Sequence, residues 1–311
     1  MPVTTQTTEL AGLTPEMQTF YDKSLLKRLL PEMVHAQFGQ KRPIPKKGGK
    51  TINFRKFSSL AAATTALTEG ATPAGNSLTV TAITATVSQY GDFVEISDVL
   101  DLTAIDPILV ETGRLLAEQS GMTLDALTRD VMATGTTIQY AGGKVSRILT
   151  AAADVLSVME IRKAVRTLKR NKARKIDGSY VAIVEPGATF DLQSDPAWVD
   201  AQKYAGSKKI FSGEIGEIYG VRFVETTEAK KFPGTGALGI DIYATLILGS
   251  DAYGLIDIAG SGAVQNIVKP FGSAGTADPL NQRSTSGWKA IFTTKIIEDL
   301  ALLRLEHAVS A

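Results

Sequence analysis

The chain has 311 residues, two histidines (His35 and His307) and no cysteine. Thiolate nucleophiles, thiolate metal sites and disulfides are therefore excluded. A tetrahedral zinc site would need a carboxylate-rich shell to make up for the missing ligands. Neither histidine stands near a serine and an acid in a spacing that reads as a triad. Both are expected to be ordinary surface or packing residues. Carboxylates gather at Asp191 and Asp195, where a hydrolase would be sought, but no positioned nucleophile accompanies them.

Two glycine motifs invite a phosphate-binding reading. "PKKGGKT" (45–51) ends like a phosphate-binding loop, yet Ile44 stands where the first glycine belongs. An alternating strand follows it, whereas the chemistry needs a helix whose N-terminal amides face the phosphates. "GTGALG" (234–239) spells a dinucleotide fingerprint, but Pro233 precedes it and "IDIYATLIL" follows, so a turn is expected. Cations crowd residues 162–175: Arg162, Lys163, Arg166, Lys169, Arg170, Lys172, Arg174 and Lys175. Clustered cations can track phosphates, but no aromatic residues are interleaved for base stacking. The expectation is a solvated helix face or an interface meeting acids on a partner.

The totals restrict the function classes further. Thirty-three basic residues nearly cancel 32 acidic ones, so the profile of a dedicated nucleic-acid binder is absent. With 44% hydrophobic residues the chain can bury a core. No apolar run reaches the ~18 residues of a membrane span, and the N-terminus lacks the pattern of a secretory signal. An intracellular product without a membrane partner is expected.

The elements that must position these residues read as follows. Thr14-Pro15-Glu16 starts a helix to about Leu30, with a capping hydroxyl, an early proline and an acid in the first turn. Residues 41–95 read as a long hairpin with Ile52 and Phe54 on one face and a tip near Glu69-Gly70. A lone two-stranded ribbon is marginal in water, so this one should lie on something else. Asp106-Pro107 opens a long helix to about Ala133, with Ile108, Leu109, Leu115, Leu116, Met122 and Ala126 as its buried stripe. Ser157 and Glu160 form a capping box for a helix carrying Val158, Ile161, Val165 and Leu168. "YVAIVEP" and "IYATLILG" read as buried strands, and "GEIGEIYGVRFVETTEA" as a turn and a strand. "ADPLNQRSTSGWKAIF" (277–292) reads as a polar loop leading into a strand that begins at Trp288. Strands and helices mix without a regular βα alternation, so the fold class is α+β.

Four stretches in this order carry a resemblance: "TALTEGATPAGNSLTVTAITATVSQYGDFVEISD" (65–98), "YVAIVEPGATFDLQSDPAW" (180–198), "GEIGEIYGVRFVET" (213–226) and "DPLNQRSTSGWKA" (278–290). Together with the element order, they resemble the major capsid proteins of tailed bacteriophages with the HK97-type fold, nearest the phage N-four type. The resemblance implies an N-terminal arm (1–40), an extended β-hairpin loop (41–95), a peripheral domain with a long spine helix (96–137 and 261–311) and an axial domain (138–260). It also implies assembly into pentamers and hexamers that close an icosahedral shell around double-stranded DNA.

The expected partners are further copies of the chain, a separate scaffolding protein, a portal, packaged DNA through weak non-specific contact, and a decoration protein as a further candidate. The expected location is the virion capsid, assembled in the host bacterial cytoplasm. No cofactor, metal or catalytic residue is expected. Candidate contacts between copies are Lys46, Lys47, Lys50, Arg55 and Lys56 at the hairpin base and Glu69 at its tip. Glu95, Asp98 and Asp101 lie downstream as acids a neighbour can offer, with Arg283 and Trp288 at the polar joint. The alternative on the same fold is an encapsulin-like bacterial compartment; from the enzyme class, it is a hydrolase around Asp191–Asp195.

Overall fold

A computed structural model describes residues 33–43, 49–57, 60–67, 69, 70, 72, 75–103, 108–205, 216–257, 264–275 and 278–310. The helix expected at 14–30, and Lys46 and Lys47, lie outside the described residues.

The centre is a seven-stranded mixed sheet. Its path runs β5 (Ile138–Tyr140), β15 (Leu302–His307), β10 (Ile242–Leu248), β6 (Tyr180–Val184), β8 (Val221–Glu225) and β7 (Glu217–Ile218), with β9 (Lys230–Phe232) pairing β10. Every residue of β6 is buried, as its unbroken apolar run requires of a strand covered on both faces. Tyr180, Ala182 and Val184 face one core with Ile161, Leu168 and Trp198, while Val181 and Ile183 face a second core.

The first core is closed by α3 (Val158–Arg170), α4 (Pro186–Ser194) and α5 (Pro196–Ala205). Helix α3 starts where the sequence sets it: the Ser157 hydroxyl accepts from the Glu160 amide at 3.4 Å. The reciprocal half of the capping box is absent, because the Glu160 carboxylate holds Gln139 and Lys163, each at 2.7 Å. Pro186 both ends β6 and opens α4, capped by Glu185 accepting from the Ala188 amide at 3.0 Å.

The second core joins the central sheet to the spine helix α2 (Ile108–Met132), which follows the short helix α1 (Asp98–Thr103). Two three-stranded sheets share this core. One orders β1 (Gln40–Arg42), β11 (Tyr253–Ile256) and β14 (Thr294–Ile296); the other orders β12 (Val264–Lys269), β13 (Arg283–Phe292) and β4 (Ser88–Ser97). The remaining pair is β2 (Thr51–Phe57) with β3 (Val80–Thr86), antiparallel with Thr51 opposite Thr86 and Phe57 opposite Val80.

Three expectations need correction. The paired part of the hairpin is only 51–57 with 80–86; after Val87 the chain leaves it, and β4 pairs with β13 along its whole length. The buried stripe of α2 runs through Leu116, Ala117, Ser120, Leu124, Asp125, Thr128 and Met132, whereas Leu115 and Met122 are exposed. The stripe is half polar, and a search for apolar periodicity alone settles on the neighbouring face. The polar residues are tolerated there because each is satisfied: Ser120 donates to the Ala117 carbonyl at 2.7 Å and Thr128 to the Leu124 carbonyl at 3.0 Å. Finally, Arg283–Gly287 is strand rather than loop, and Trp288 sits in the middle of β13.

Candidate assembly surface

The polar stretch forms strand because its alternation does not depend on apolar side chains. Ser284, Ser286, Trp288, Ala290 and Phe292 all point inward and are buried. Small hydroxyls at 284 and 286 let the strand lie close to its neighbours, and Gly287 approaches Phe93 so tightly that a Cβ there would sit 2.7 Å from the Phe93 Cβ. The turn before the strand is built by Asp278, buried, whose carboxylate accepts from the Arg283 amide at 2.8 Å. The Asp98 amide donates to the Gln282 carbonyl at 3.0 Å and ties α1 to this turn.

Trp288 is an internal residue, 4% exposed, whose Nε1–H donates to Gln119 Oε1 on α2 at 3.1 Å. The Gln119 amide in turn donates to Asp92 at 2.7 Å. That bond, with the Phe93 amide at 2.8 Å, holds the Asp92 carboxyl below its usual range. Trp288 is thus withdrawn from the candidate contacts between copies: its face packs on its own helix.

The opposite face of this sheet is open. Register places Gly91, Phe93 and Glu95 beside Lys289, Gly287 and Thr285, and these beside Gln265, Ile267 and Lys269. A groove of about 760 Å³ is lined by residues of this face, among them Gly91, Gly287, Ile267, Lys269, Lys289 and Glu95. Phe93 is 65% exposed within it. Arg283 and Glu95 pair with each other at 3.1 Å, so these two candidates meet inside one subunit.

The hairpin shows a sharp division. At its base Ile52, Phe54 and Ala85 are buried in the second core, and Phe54 lies on Gly254 of β11, where a Cβ would meet its ring at 2.3 Å. Lys56 is held by Glu298 at 2.5 Å. Beyond the base Phe57, Leu60, Leu67, Leu78 and Val80 are all exposed. Lys50, Arg55 and Glu69 are exposed as well, as are Asp98 and Asp101 on α1.

Both histidines are buried packing residues. The His35 amide and Nδ1 meet the two carboxylate oxygens of Asp125 at 2.7 and 2.6 Å, and the Tyr253 hydroxyl donates to the His35 carbonyl. Burial pushes the Tyr253 hydroxyl well above its ordinary pKa. This cluster fastens the segment before β1 to the spine helix, and no periodicity in the sequence signals it. His307 lies between Thr245 Oγ1 at 2.8 Å and the Ala308 carbonyl at 2.8 Å, and burial pushes its pKa down to about 4. Beside it the buried Glu306 accepts from Arg147 at 2.6 and 2.7 Å and forms an ion pair with Arg304, whose Nε stands 2.8 Å away.

The carboxylates weighed for hydrolysis hold backbone. Asp191 accepts from the amide and hydroxyl of Ser310, and Asp195 accepts from the Val158 and Ala197 amides, each at 2.9 Å. The "GTGALG" stretch joins two antiparallel strands, β9 and β10, with no helix of the kind a dinucleotide needs. Among the described residues there is no group of three or more potential metal ligands, and no helix is long and apolar enough to cross a membrane.

Residues 123–272 match the family model for phage capsid protein. No curated protein matches the sequence. Among solved structures the chain is similar to the capsid of Ralstonia phage GP4, with a TM-score of 0.66 at 15% identity over 85% of each chain. It is similar to the capsid of cyanophage Pam1, with a TM-score of 0.64 at 16% identity over 91% of this chain and 92% of that one. The mature capsid of bacteriophage PhiM1 gives a TM-score of 0.61 at 14% identity, over 87% and 86% of the two chains. The fold is that of the HK97-type capsid proteins, and the similarity to the phage capsid family lies in residues 123–272. The compartment alternative is not favoured by these matches.

Proposed function

We propose that this chain is a major capsid protein whose copies form pentamers and hexamers and close an icosahedral shell around phage double-stranded DNA. The observation that carries the assembly mechanism is the hairpin: a base buried in its own subunit and a distal part with five large apolar side chains in solvent. Monomeric proteins rarely leave such a cluster uncovered, and a neighbouring copy covers it if the hairpin lies across the open face of that copy's β12–β13–β4 sheet. A contact passed head to tail around a ring builds capsomers. It also couples subunit stability to shell formation. Lys50, Arg55 and Glu69 on the hairpin, and Asp98 and Asp101 on α1, are the residues we assign to contacts between copies, with Lys46 and Lys47 in the same basic run.

The resemblance of residues 65–98, 213–226 and 278–290 supports a place nearest the N-four type within the class. Assembly in the host bacterial cytoplasm, with a separate scaffolding protein, a portal and a decoration protein as partners and without enzymatic activity, completes the reading. Sedimentation and negative-stain microscopy of the chain, expressed alone and with a phage scaffolding protein, test it. Shells, tubes or five- and six-membered rings are expected; a persistent monomer under both conditions overturns it.

A further inference from the structure

The basic run 162–175 becomes a surface in the structure, with an aromatic partner that the sequence places more than forty residues away. The apolar residues of α3, Ile161, Ala164, Val165 and Leu168, are buried against the central sheet. That packing fixes the opposite side outward, and Arg162, Arg166 and Lys169, at spacings of four and three, are exposed on it with Arg170 beside them. The stripe is roughly 12 Å long at 1.5 Å per residue. Lys172, Arg174 and Lys175 continue it past the helix and are also exposed. Of the eight cations only Lys163 has a carboxylate, Glu160 at 2.7 Å; among the described residues the other seven have none.

Tyr219 extends this face. It lies in the turn between β7 and β8 with φ 52 and is 51% exposed, and the Arg162 guanidinium stands 5.2 Å from its ring centroid. A stacked guanidinium keeps its edge donors free for phosphate oxygens.

Charge argues for the kind of partner. The chain carries 33 basic and 32 acidic residues, so outside these eight cations 25 basic residues face 32 acidic ones. One face is strongly basic on an otherwise acidic subunit. A second copy offers this face only scattered carboxylates, Asp98 and Asp101 among them, while Glu95, Glu111, Asp130, Glu228, Asp241 and Glu298 already hold cations of their own chain. A phosphodiester backbone supplies dense negative charge with no demand for fixed geometry. We infer that the exposed face of α3, extended by Lys172, Arg174, Lys175 and Tyr219, is a sequence-independent contact surface for double-stranded DNA. This rests on the capsid reading and names the surface by which the packaged DNA is met.

The test uses the purified full-length chain with a random-sequence duplex of roughly 30 base pairs, its binding followed by fluorescence anisotropy between about 50 and 200 mM salt. The triple variant R162Q/R166Q/K169Q is compared with K41Q/K144Q/K295Q, which removes equal charge elsewhere. Circular dichroism checks that both are folded. At about 0.9 per phosphate contact, the first variant is expected to flatten the salt slope by about 3 and to lose about tenfold in affinity, with the second near wild type. Equal losses in both variants, or none in the first, overturn the inference. So does a first variant that stops assembly with its DNA slope unchanged, since the face is then a contact between copies. Binding is read on the unassembled chain as well as on particles, so a failure to form shells counts against the capsid reading alone.

Discussion

The two ends of one hairpin obey different rules. At its base, Ile52, Phe54 and Ala85 are buried in the subunit's own core. A few residues further out, Phe57, Leu60, Leu67, Leu78 and Val80 stand in solvent. The strands are the same, the pairing is continuous through Phe57 opposite Val80, and the side chains are of the same kind. What differs is whether the subunit supplies a surface to cover them. The base belongs to the stability of the fold, and the distal part is the one we assign to a contact between copies.

The sharpest way to break this comparison is to remove the distal part. Deleting residues 60–78 is expected to abolish shell closure by microscopy while leaving a cooperatively folded chain. Normal particles from that deletion would end the role assigned to the hairpin. At the base, Phe54→Ala should cost about 3–5 kcal/mol of subunit stability by chemical denaturation, the range for truncating a buried aromatic. Next comes pH, which acts on the central sheet rather than on the hairpin. His307 is held neutral in the folded chain, with a pKa of about 4 against an ordinary 6.5. Below that ordinary value the unfolded chain binds the proton and the folded chain does not. The contribution is full above pH ~6.5 and falls progressively towards pH ~4, by about 3 kcal/mol in total. This slope should be absent in His307→Gln when denaturation is followed across that window. The smallest effects belong to solvent-facing groups. Leu67→Ser with Leu78→Ser should change subunit stability by less than about 0.5 kcal/mol, and Lys56→Gln, which breaks a half-exposed pair with Glu298, by less than about 1 kcal/mol.

Much of the core was legible in the sequence. "YVAIV" and "IYATLIL" are unbroken apolar runs and became strands covered on both faces. Ser157 set the start of α3 by its own hydroxyl. Both histidines proved to be packing residues, one of the two placements expected of them. Reading failed where polar residues were buried. Ser120, Asp125 and Thr128 hid the inward face of α2, and Ser284 and Ser286 made half of β13 look like a loop. Burial of such residues depends on partners distant in sequence, such as His35 for Asp125.

The proposed assembly surface was half legible. A long ribbon needing support was visible from its composition, but not where its paired part ended, nor the groove lined from β4, β12 and β13. The candidates Arg283 and Glu95 turned out to pair with each other, and Trp288 to serve the interior. Tyr219 was missed because nothing local links it to Arg162.

By itself the sequence determined what local order and covalent composition control: the α+β class, the absence of thiol chemistry, the buried strands, the start of α3 at Ser157 and the concentration of cations at 162–175. These follow from side-chain periodicity, capping and counting, each of which acts over a few residues. Tertiary structure alone decided which face of α2 is inward, that Trp288 is internal, that the hairpin is clothed at one end and bare at the other, and that seven cations and a tyrosine share a surface. Those outcomes depend on desolvation and on partners far apart in the chain, and a contact of that kind exists only once the chain has closed on itself.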